Sequence, residues 1–236
     1  MEGATVKKNI LLVGGTSGIG LKLAQHYVAE GHRVCITGRQ DPHLEGAVFY
    51  PFAITDQATD LIRDIDALVA DFSAVNTLIY AAGYLQRGLI DTLSDAALQT
   101  MTHVGLLAPM MLVRRLKAGA SGPLKVMLIT SEAQYTPRAL EPAYCATKAG
   151  LAMFGASLVR DRAIGKVLVT APSDTDTPFW AGTDQGTTMM LDAGWVAEQI
   201  VELSGGAFKY KYAKILANPA RVDVVECFDN DFQPIL

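Results

Sequence analysis

The amino-acid sequence predicts an α/β fold, a doubly wound parallel sheet with helices on both faces. Short apolar segments alternate with segments of helical periodicity along most of the 236 residues. The first apolar segment ends in a glycine-rich turn, and half of all residues are hydrophobic, which is enough for a large core. Apolar strands separated by helices pair in parallel and need cover on both faces of the sheet.

The strands and helices follow one another from residue 9. Apolar runs predict strands at residues 9–13, 33–37, 47–54, 76–81, 125–130, 166–171 and 211–216. Helical spacing predicts helices at residues 21–30, 56–71, 94–117, 142–162 and 192–204. Gly31 suits a C-terminal cap of the first helix, and Pro142 suits the first turn of the fourth. We therefore expect residues 1–236 to form one domain, in which residues 218–236 have no clear pattern.

Composition argues against several classes of function. A net charge of −4 and the lack of a lysine–arginine run speak against nucleic acid as a partner. The longest apolar stretch, residues 104–113, is interrupted and too short to span a bilayer, and the first apolar run ends too early for a secretory signal. Three cysteines without a CxxC pair and four histidines without ligand spacing predict reduced thiols, a cytoplasmic location and no metal site.

The turn after the first strand has the composition of a phosphate-binding loop. It reads Gly14-Gly15-Thr16-Ser17-Gly18-Ile19-Gly20 and leads into a helix. Glycines let a backbone approach a pyrophosphate closely, and the amides and dipole of a helix N-terminus attract the anion. The loop therefore predicts a dinucleotide cofactor in a Rossmann fold, although glycines at this spacing also occur in tight turns without a ligand.

The end of the second strand bears on the choice of cofactor. An acidic residue there would bind the ribose 2′-hydroxyl of NAD, whereas a guanidinium pairs with the 2′-phosphate of NADP. This strand ends in Gly38-Arg39 and has no acid. Arg39 therefore favours NADP(H), with NAD(H) as the alternative if Arg39 is only a solvated surface residue.

The strongest local signal is Tyr144-Cys145-Ala146-Thr147-Lys148, because a spacing of four puts the tyrosine and the lysine on one helix face. A nearby ammonium lowers the pKa of a phenol and makes it a better acid or base near neutral pH. Ser131 ends the strand before this helix, at the sheet edge where open α/β folds bind ligands. Its hydroxyl can donate to a substrate oxygen as negative charge develops there.

The glycine loop, Ser131 and the Tyr144–Lys148 pair occur in the order found in the short-chain dehydrogenase/reductase family, which the chain resembles over about residues 8 to 205. The resemblance implies that Ser131 positions the substrate oxygen, Tyr144 transfers the proton, and Lys148 holds the nicotinamide ribose. It implies hydride transfer between NAD(P)(H) and a carbonyl or alcohol substrate. It also implies a set of cofactor contacts: Gly14, Thr16, Ser17, Gly18, Ile19, Gly20, Arg39, Ala82, Gly83, Tyr144, Lys148, Pro172, Thr175 and Thr177.

The sequence departs from the family pattern in the long helix before Ser131. Gly105 stands where the family often has an asparagine that anchors a water for proton relay, and Tyr80-Ala81 replaces two further asparagines. His103 lies near but on a different helix face. We expect water to fill the space beside Gly105 and to reroute the relay. The alternative is a dinucleotide-binding regulator or redox sensor without turnover.

Two further expectations concern substrate and assembly. Residues 173–191 are expected to close over the substrate, and their side chains Phe179, Trp180, Met189 and Met190 favour an apolar carbonyl compound unless they only pack the loop onto the body. The lack of lysine and arginine from residue 173 to 199 speaks against phosphorylated substrates.

The helix after Tyr144 is apolar on all sides over residues 149–155, which predicts a homodimer or homotetramer.

Overall fold

Strands run through the whole of the computed structural model, which describes residues 7–72 and 74–235. They are β1 (Asn9–Val13), β2 (Arg33–Gly38), β3 (Ala47–Pro51), β4 (Thr77–Tyr80), β5 (Leu124–Ile129), β6 (Ile164–Pro172), β7 (Thr175–Asp176), β8 (Leu191–Asp192), β9 (Tyr210–Leu216) and β10 (Arg221–Phe228). Eight of them form one sheet in the order β10-β9-β6-β5-β4-β1-β2-β3, and β7 pairs with β8. All neighbours in the large sheet are parallel except β9 and β10.

The strand order creates the crevice in which ligands of such sheets bind. The chain moves outward from β1 to β3 and then returns to the other side of β1 to form β4. The connections after β1 and β4 therefore diverge and leave a gap at their carboxyl ends. The predicted doubly wound parallel sheet is confirmed, and the glycine loop and the end of β4 flank this gap.

Helices cover both faces of the sheet. They are α1 (Gly18–Ala29), α2 (Ala58–Asp71), α3 (Asp95–Thr102), α4 (Ala108–Gly119), α5 (Pro142–Leu158) and α6 (Ala193–Ser204). In β1, Leu11 and Val13 pack with α2, α4 and α5, while Ile10 and Leu12 pack with α1 and α6. Burial on both faces explains why this strand is a continuous apolar run and does not alternate.

Several element boundaries differ from those expected. The helix expected at 94–117 is α3 and α4 joined by a π-helical turn, His103–Leu107. The strand expected at 47–54 ends at Pro51, and the helix expected at 142–162 ends at Leu158 because a turn closed by Asp161 leads into β6. The segment after residue 218 forms β10, which adds an antiparallel edge to the sheet.

One helical stretch, Asp95–Gly119, is long and apolar enough to cross a membrane by length and composition alone, with a mean hydropathy of 1.4. The sequence expectation considered only its interrupted apolar centre. Leu112, Val113 and Leu116 of this stretch are buried in the core against the sheet. These three apolar residues therefore have partners within the fold.

Candidate active site

The glycine loop lies against the end of β4 without room for side chains. Gly14 has a φ of +82°, and a Cβ built there would lie 2.6 Å from the backbone nitrogen of Ala82. A Cβ on Gly20 would lie 2.0 Å from the carbonyl oxygen of Gly14. The amides of Gly14 and Gly15 both donate to the carbonyl of Thr37 at 3.1 Å, which ties the loop to the end of β2. These glycines are required by the close approach of three backbone segments.

The start of α1 has the features of an anion site. Helix α1 begins at Gly18, and the side chain of Ser17 at the N-cap makes no capping hydrogen bond. The first turn contains no acidic residue. Its amides and the positive end of the helix dipole are therefore directed into the crevice, as a pyrophosphate requires. These residues fit a dinucleotide.

Three side chains expected to act together do converge. Ser131 follows β5 and accepts a hydrogen bond from the amide of Ala133 at 3.2 Å, and its hydroxyl also contacts Tyr144. The ammonium of Lys148 lies 5.5 Å from the centre of the Tyr144 ring and donates to the carbonyl of Ile129 at 3.2 Å. All three side chains are buried. Helix α5 positions Tyr144 and Lys148, and the end of β5 positions Ser131.

Burial dominates the proton affinities at this point. It raises the pKa of Tyr144, and the hydrogen bond with Ser131 and the field of Arg138 only partly oppose it. Burial lowers the pKa of Lys148 to about 8. The expected lowering of the Tyr144 pKa by Lys148 is thus not produced by the protein's own groups, because desolvation of a phenolate in this enclosed position has the larger effect.

One cavity of about 520 Å³ unites the site, and all the candidate catalytic and cofactor-binding residues line it. It runs along the carboxyl ends of β2, β1, β4, β5 and β6. Arg39 reaches it from the end of β2 and makes no ion pair among residues 7–72 and 74–235. Beside Ser131 and Tyr144, apolar and aromatic side chains line the cavity together with an ion pair, Arg138–Asp174. The apolar and aromatic side chains are Tyr84, Leu85, Phe179 and Trp180. The site therefore has a polar part along the glycine loop and an apolar part beside Tyr144.

The loop expected over the substrate covers the apolar part. The Phe179 ring lies 5.8 Å from that of Tyr144, and Trp180 donates from Nε1 to the carbonyl of Thr175 at 3.0 Å. Trp180 is buried, whereas Met189 is 71% exposed. Within this loop, Trp180 packs against the loop's own backbone, and Phe179 faces the cavity.

The space beside Gly105 differs from the expectation. Gly105 lies inside the π-helical turn, and a Cβ there would lie 2.6 Å from both Cβ and Oγ1 of Thr147. Thr147 fills the volume that we expected water to occupy, so the water-filled relay beside Gly105 is wrong. The ring of His103 turns away from this point, with Nδ1 2.7 Å from the carbonyl oxygen of Thr55.

Tyr80, at the end of β4, supports the π-helical turn. It is fully buried, and its hydroxyl donates to the carbonyl oxygen of Val104 at 2.5 Å. A π turn leaves carbonyls without their usual helical partners, and such groups need another donor when buried. Tyr80 therefore replaces a family asparagine with a residue that holds the helix and not the cofactor.

Sequence reasoning missed a group of charged side chains near Tyr144. Arg138 donates to Asp174 at 2.9 Å and to Glu141 at 3.3 Å, and it also pairs with Glu132. Glu141 is buried at the N-cap of α5, three residues before Tyr144. The only signal in the sequence was the three charged residues between Ser131 and Tyr144, and two of their partners, Asp174 and Arg87, are far away along the chain. Among the described residues, no group of three or more histidine, cysteine, aspartate or glutamate side chains could hold a metal ion.

Comparison with known proteins gives a consistent result. The sequence model that describes the short chain dehydrogenase family matches residues 8–187 of this chain. The oxidoreductase DltE of Bacillus subtilis is 28% identical over 187 residues, which cover 71% of each chain. A short chain dehydrogenase family protein from Francisella tularensis has a TM-score of 0.77 at 16% identity, covering 89% of this chain and 97% of its own. BdcA, solved in complex with NADPH, has a TM-score of 0.72 at 22% identity, covering 84% and 87%.

Replacing Lys148 tests how much the burial of its charge destabilises the folded protein. Because burial lowers the folded-state pKa of Lys148 to about 8 from 10.5, the charged form destabilises the fold below pH 8. This free-energy cost decreases as the pH rises from 8 to 10.5, and it disappears above 10.5, where Lys148 is neutral in the unfolded chain as well. We expect Lys148→Met to raise the free energy of unfolding at pH 7 by about 1–3 kcal/mol.

Urea unfolding of both proteins from pH 6 to 10.5 measures the difference, which should shrink above pH 8. Lys22→Met, an exposed lysine on α1, serves as the control and should change stability little. A Lys148→Met protein that is less stable than the parent at pH 7 would contradict the assignment of this cost.

Proposed function

Because the chain belongs to the short-chain dehydrogenase family, a family of oxidoreductases, we propose that it transfers a hydride between NADP(H) and a carbonyl or secondary alcohol. NAD(H) is the alternative cofactor. The observation that carries the proposal is the meeting of Ser131, Tyr144 and Lys148 in the cavity that the glycine loop also lines. A nicotinamide bound there supplies or accepts the hydride.

The chain's own groups supply positioning and the proton. The Ser131 hydroxyl donates a hydrogen bond to the substrate carbonyl oxygen and stabilises the charge that develops on it. The raised pKa of Tyr144 keeps its phenol protonated at neutral pH, so that it can donate its proton to the same oxygen. In alcohol oxidation the phenolate accepts that proton, and Lys148 stabilises it.

Lys148 is suited to two tasks. With a pKa of about 8 it is mostly cationic at pH 7, so it can donate to a ribose hydroxyl and return a proton to Tyr144. Its observed partner is the carbonyl of Ile129 at 3.2 Å, at the end of β5. Since Thr147 closes the space beside Gly105, we propose that protons reach Lys148 from the cavity side.

The substrate we propose is an apolar carbonyl compound without phosphate groups. Phe179, Trp180, Tyr84 and Leu85 provide apolar surface next to Tyr144. Arg138, which also lines this part of the cavity, already pairs with three carboxylates. A screen at 340 nm with both cofactors against ketones, aldehydes and secondary alcohols would identify the substrate class.

We further propose a cytoplasmic homodimer or homotetramer. Met153 on α5 is 67% exposed and Ile62 on α2 is 42% exposed, so apolar surface remains on the helical face that carries α5. Sedimentation at micromolar concentration tests this assembly, and a monomer would refute it.

Tyr144→Phe tests the catalytic assignment. The substitution removes only the hydroxyl, so we expect turnover to fall about a thousandfold or more while cofactor affinity stays within a few-fold. Steady-state rates at 340 nm and titration of NADPH by fluorescence measure the two quantities. Tyr135→Phe, which lies outside the cavity, should keep full turnover.

The same variant separates the enzyme from a regulator. A dinucleotide-binding sensor has no use for the phenolic proton, and its output should be unchanged in Tyr144→Phe. Parent protein that binds NADPH and turns over no carbonyl or alcohol substrate would favour the regulator.

Arg39→Ala tests the cofactor preference. Loss of a charged hydrogen bond to the 2′-phosphate should weaken NADPH binding about tenfold or more and leave NADH binding unchanged. Calorimetric titration with each cofactor measures this. Arg33→Ala, at the opposite end of β2, is the matched control. Equal affinity of the parent for both cofactors would make the NADP(H) preference wrong.

A further inference from the structure

Glu141 is a buried carboxylate that the proposed reaction does not use. Its side chain is 5% exposed, and it lies between two arginines from different segments. Oε2 lies 3.3 Å from Nη1 of Arg138, and Oε1 lies 3.5 Å from Nε of Arg87. A buried carboxylate needs such partners because its desolvation is costly. Glu141 thus accepts a hydrogen bond from Arg138 and makes a charge contact with Arg87, whose Nε has no hydrogen-bond partner among the described residues.

The other sides of both arginines contact the loop over the substrate. Arg138 donates from Nη2 to Asp174 at 2.9 Å, where that loop begins. Arg87 pairs from Nη1 with Asp184, further along the same loop. If the side-chain amide of Gln185 is turned over, its oxygen accepts from Nη1 and Nη2 of Arg87 at 2.8 and 3.1 Å. One buried carboxylate is therefore connected through two arginines to two points of the loop.

Between these two points the loop carries the groups nearest to the reacting atoms. Phe179 packs beside Tyr144, and Thr177 packs beside Gly18 of the glycine loop. Glu141 and Tyr144 stand on the same helix, α5. Any shift of the loop relative to α5 would therefore change the distance between substrate cover and proton donor.

Exposed ion pairs alone would hold such a loop weakly. Asp184 is 82% exposed, and pairs of this kind contribute little unless one partner is already fixed. Arg87 is only 20% exposed, so its side chain is already restricted and less side-chain entropy is lost when Asp184 binds. The negative charge of Glu141, 3.5 Å from Nε of Arg87, favours this position of the guanidinium.

We propose that Glu141 is a positioning residue that holds the 173–185 part of the substrate loop closed over Tyr144 through Arg87 and Arg138. Its effect on substrate binding rests on the proposed function, whereas its effect on the loop does not. Removal of the Glu141 charge should loosen the loop and raise the substrate KM, with a smaller effect on cofactor affinity, because most of the proposed cofactor contacts lie outside the loop.

Hydrogen–deuterium exchange of peptides within residues 177–190 measures the loop directly. We expect Glu141→Gln to speed exchange there about tenfold, equivalent to 1.4 kcal/mol of opening free energy. Asp184→Asn should give a smaller increase, and the double variant should not exceed Glu141→Gln by the full Asp184→Asn effect, since both act through Arg87. Asp176→Asn, an exposed loop aspartate without an ion pair among residues 7–72 and 74–235, is the control and should exchange like the parent.

Steady-state kinetics with a carbonyl substrate from the screen give the second measurement. KM should rise about tenfold in Glu141→Gln, with smaller changes in kcat and in the NADPH Kd. A general loss of stability would instead affect kcat and cofactor binding together.

Unchanged loop exchange in a folded Glu141→Gln protein would overturn the proposal. If Glu141→Gln does not fold, the double variant Asp184→Asn/Gln185→Ala removes the loop-side partners of Arg87 and leaves the buried group intact. Unchanged exchange in that variant would equally overturn it. A parent protein that reduces no carbonyl would refute the proposed function, yet the exchange result would still decide the role of Glu141.

Discussion

The close approach of the Gly14 turn to the end of β4 is the constraint on which the site depends. A Cβ at Gly14 would collide with the backbone of Ala82, so the first and fourth strands can end side by side only around glycine. This contact brings the start of α1 to the gap in the strand order. Because β5 is the neighbour of β4, it also brings Ser131 and helix α5 to the same cavity.

Much of this arrangement could be read from local patterns. Strand β1 is buried on both faces, and its boundaries were predicted because its apolar run has an abrupt glycine end. Tyr144 and Lys148 were found because helix geometry fixes the relation of residues four apart. β10 was missed, since as an edge strand it buries few side chains and lacks a strong hydrophobic pattern. The packing of Thr147 against Gly105 was missed because it joins residues 42 apart (147 − 105), and no spacing rule covers such a contact.

The site concentrates ionisable groups in places where burial decides their behaviour. Lys148 is a cation without a carboxylate partner among the described residues, and desolvation alone accounts for its lowered pKa. Glu141 is equally enclosed but has two arginines beside it. The difference fits the proposed tasks, because Lys148 exchanges a proton with Tyr144, whereas Glu141 holds the loop through its two arginines.

The π-helical turn His103–Leu107 gives one continuous helix two directions of packing. Each residue advances an α-helix by about 100°, so one extra residue in a turn rotates everything after it by that amount. Before the turn, Ala97 and Met101 pack in the small cluster around Tyr144. After it, Leu112 and Leu116 pack in the large core under the sheet. The turn therefore lets one continuous helix pack around Tyr144 with its first half and against the sheet with its second half.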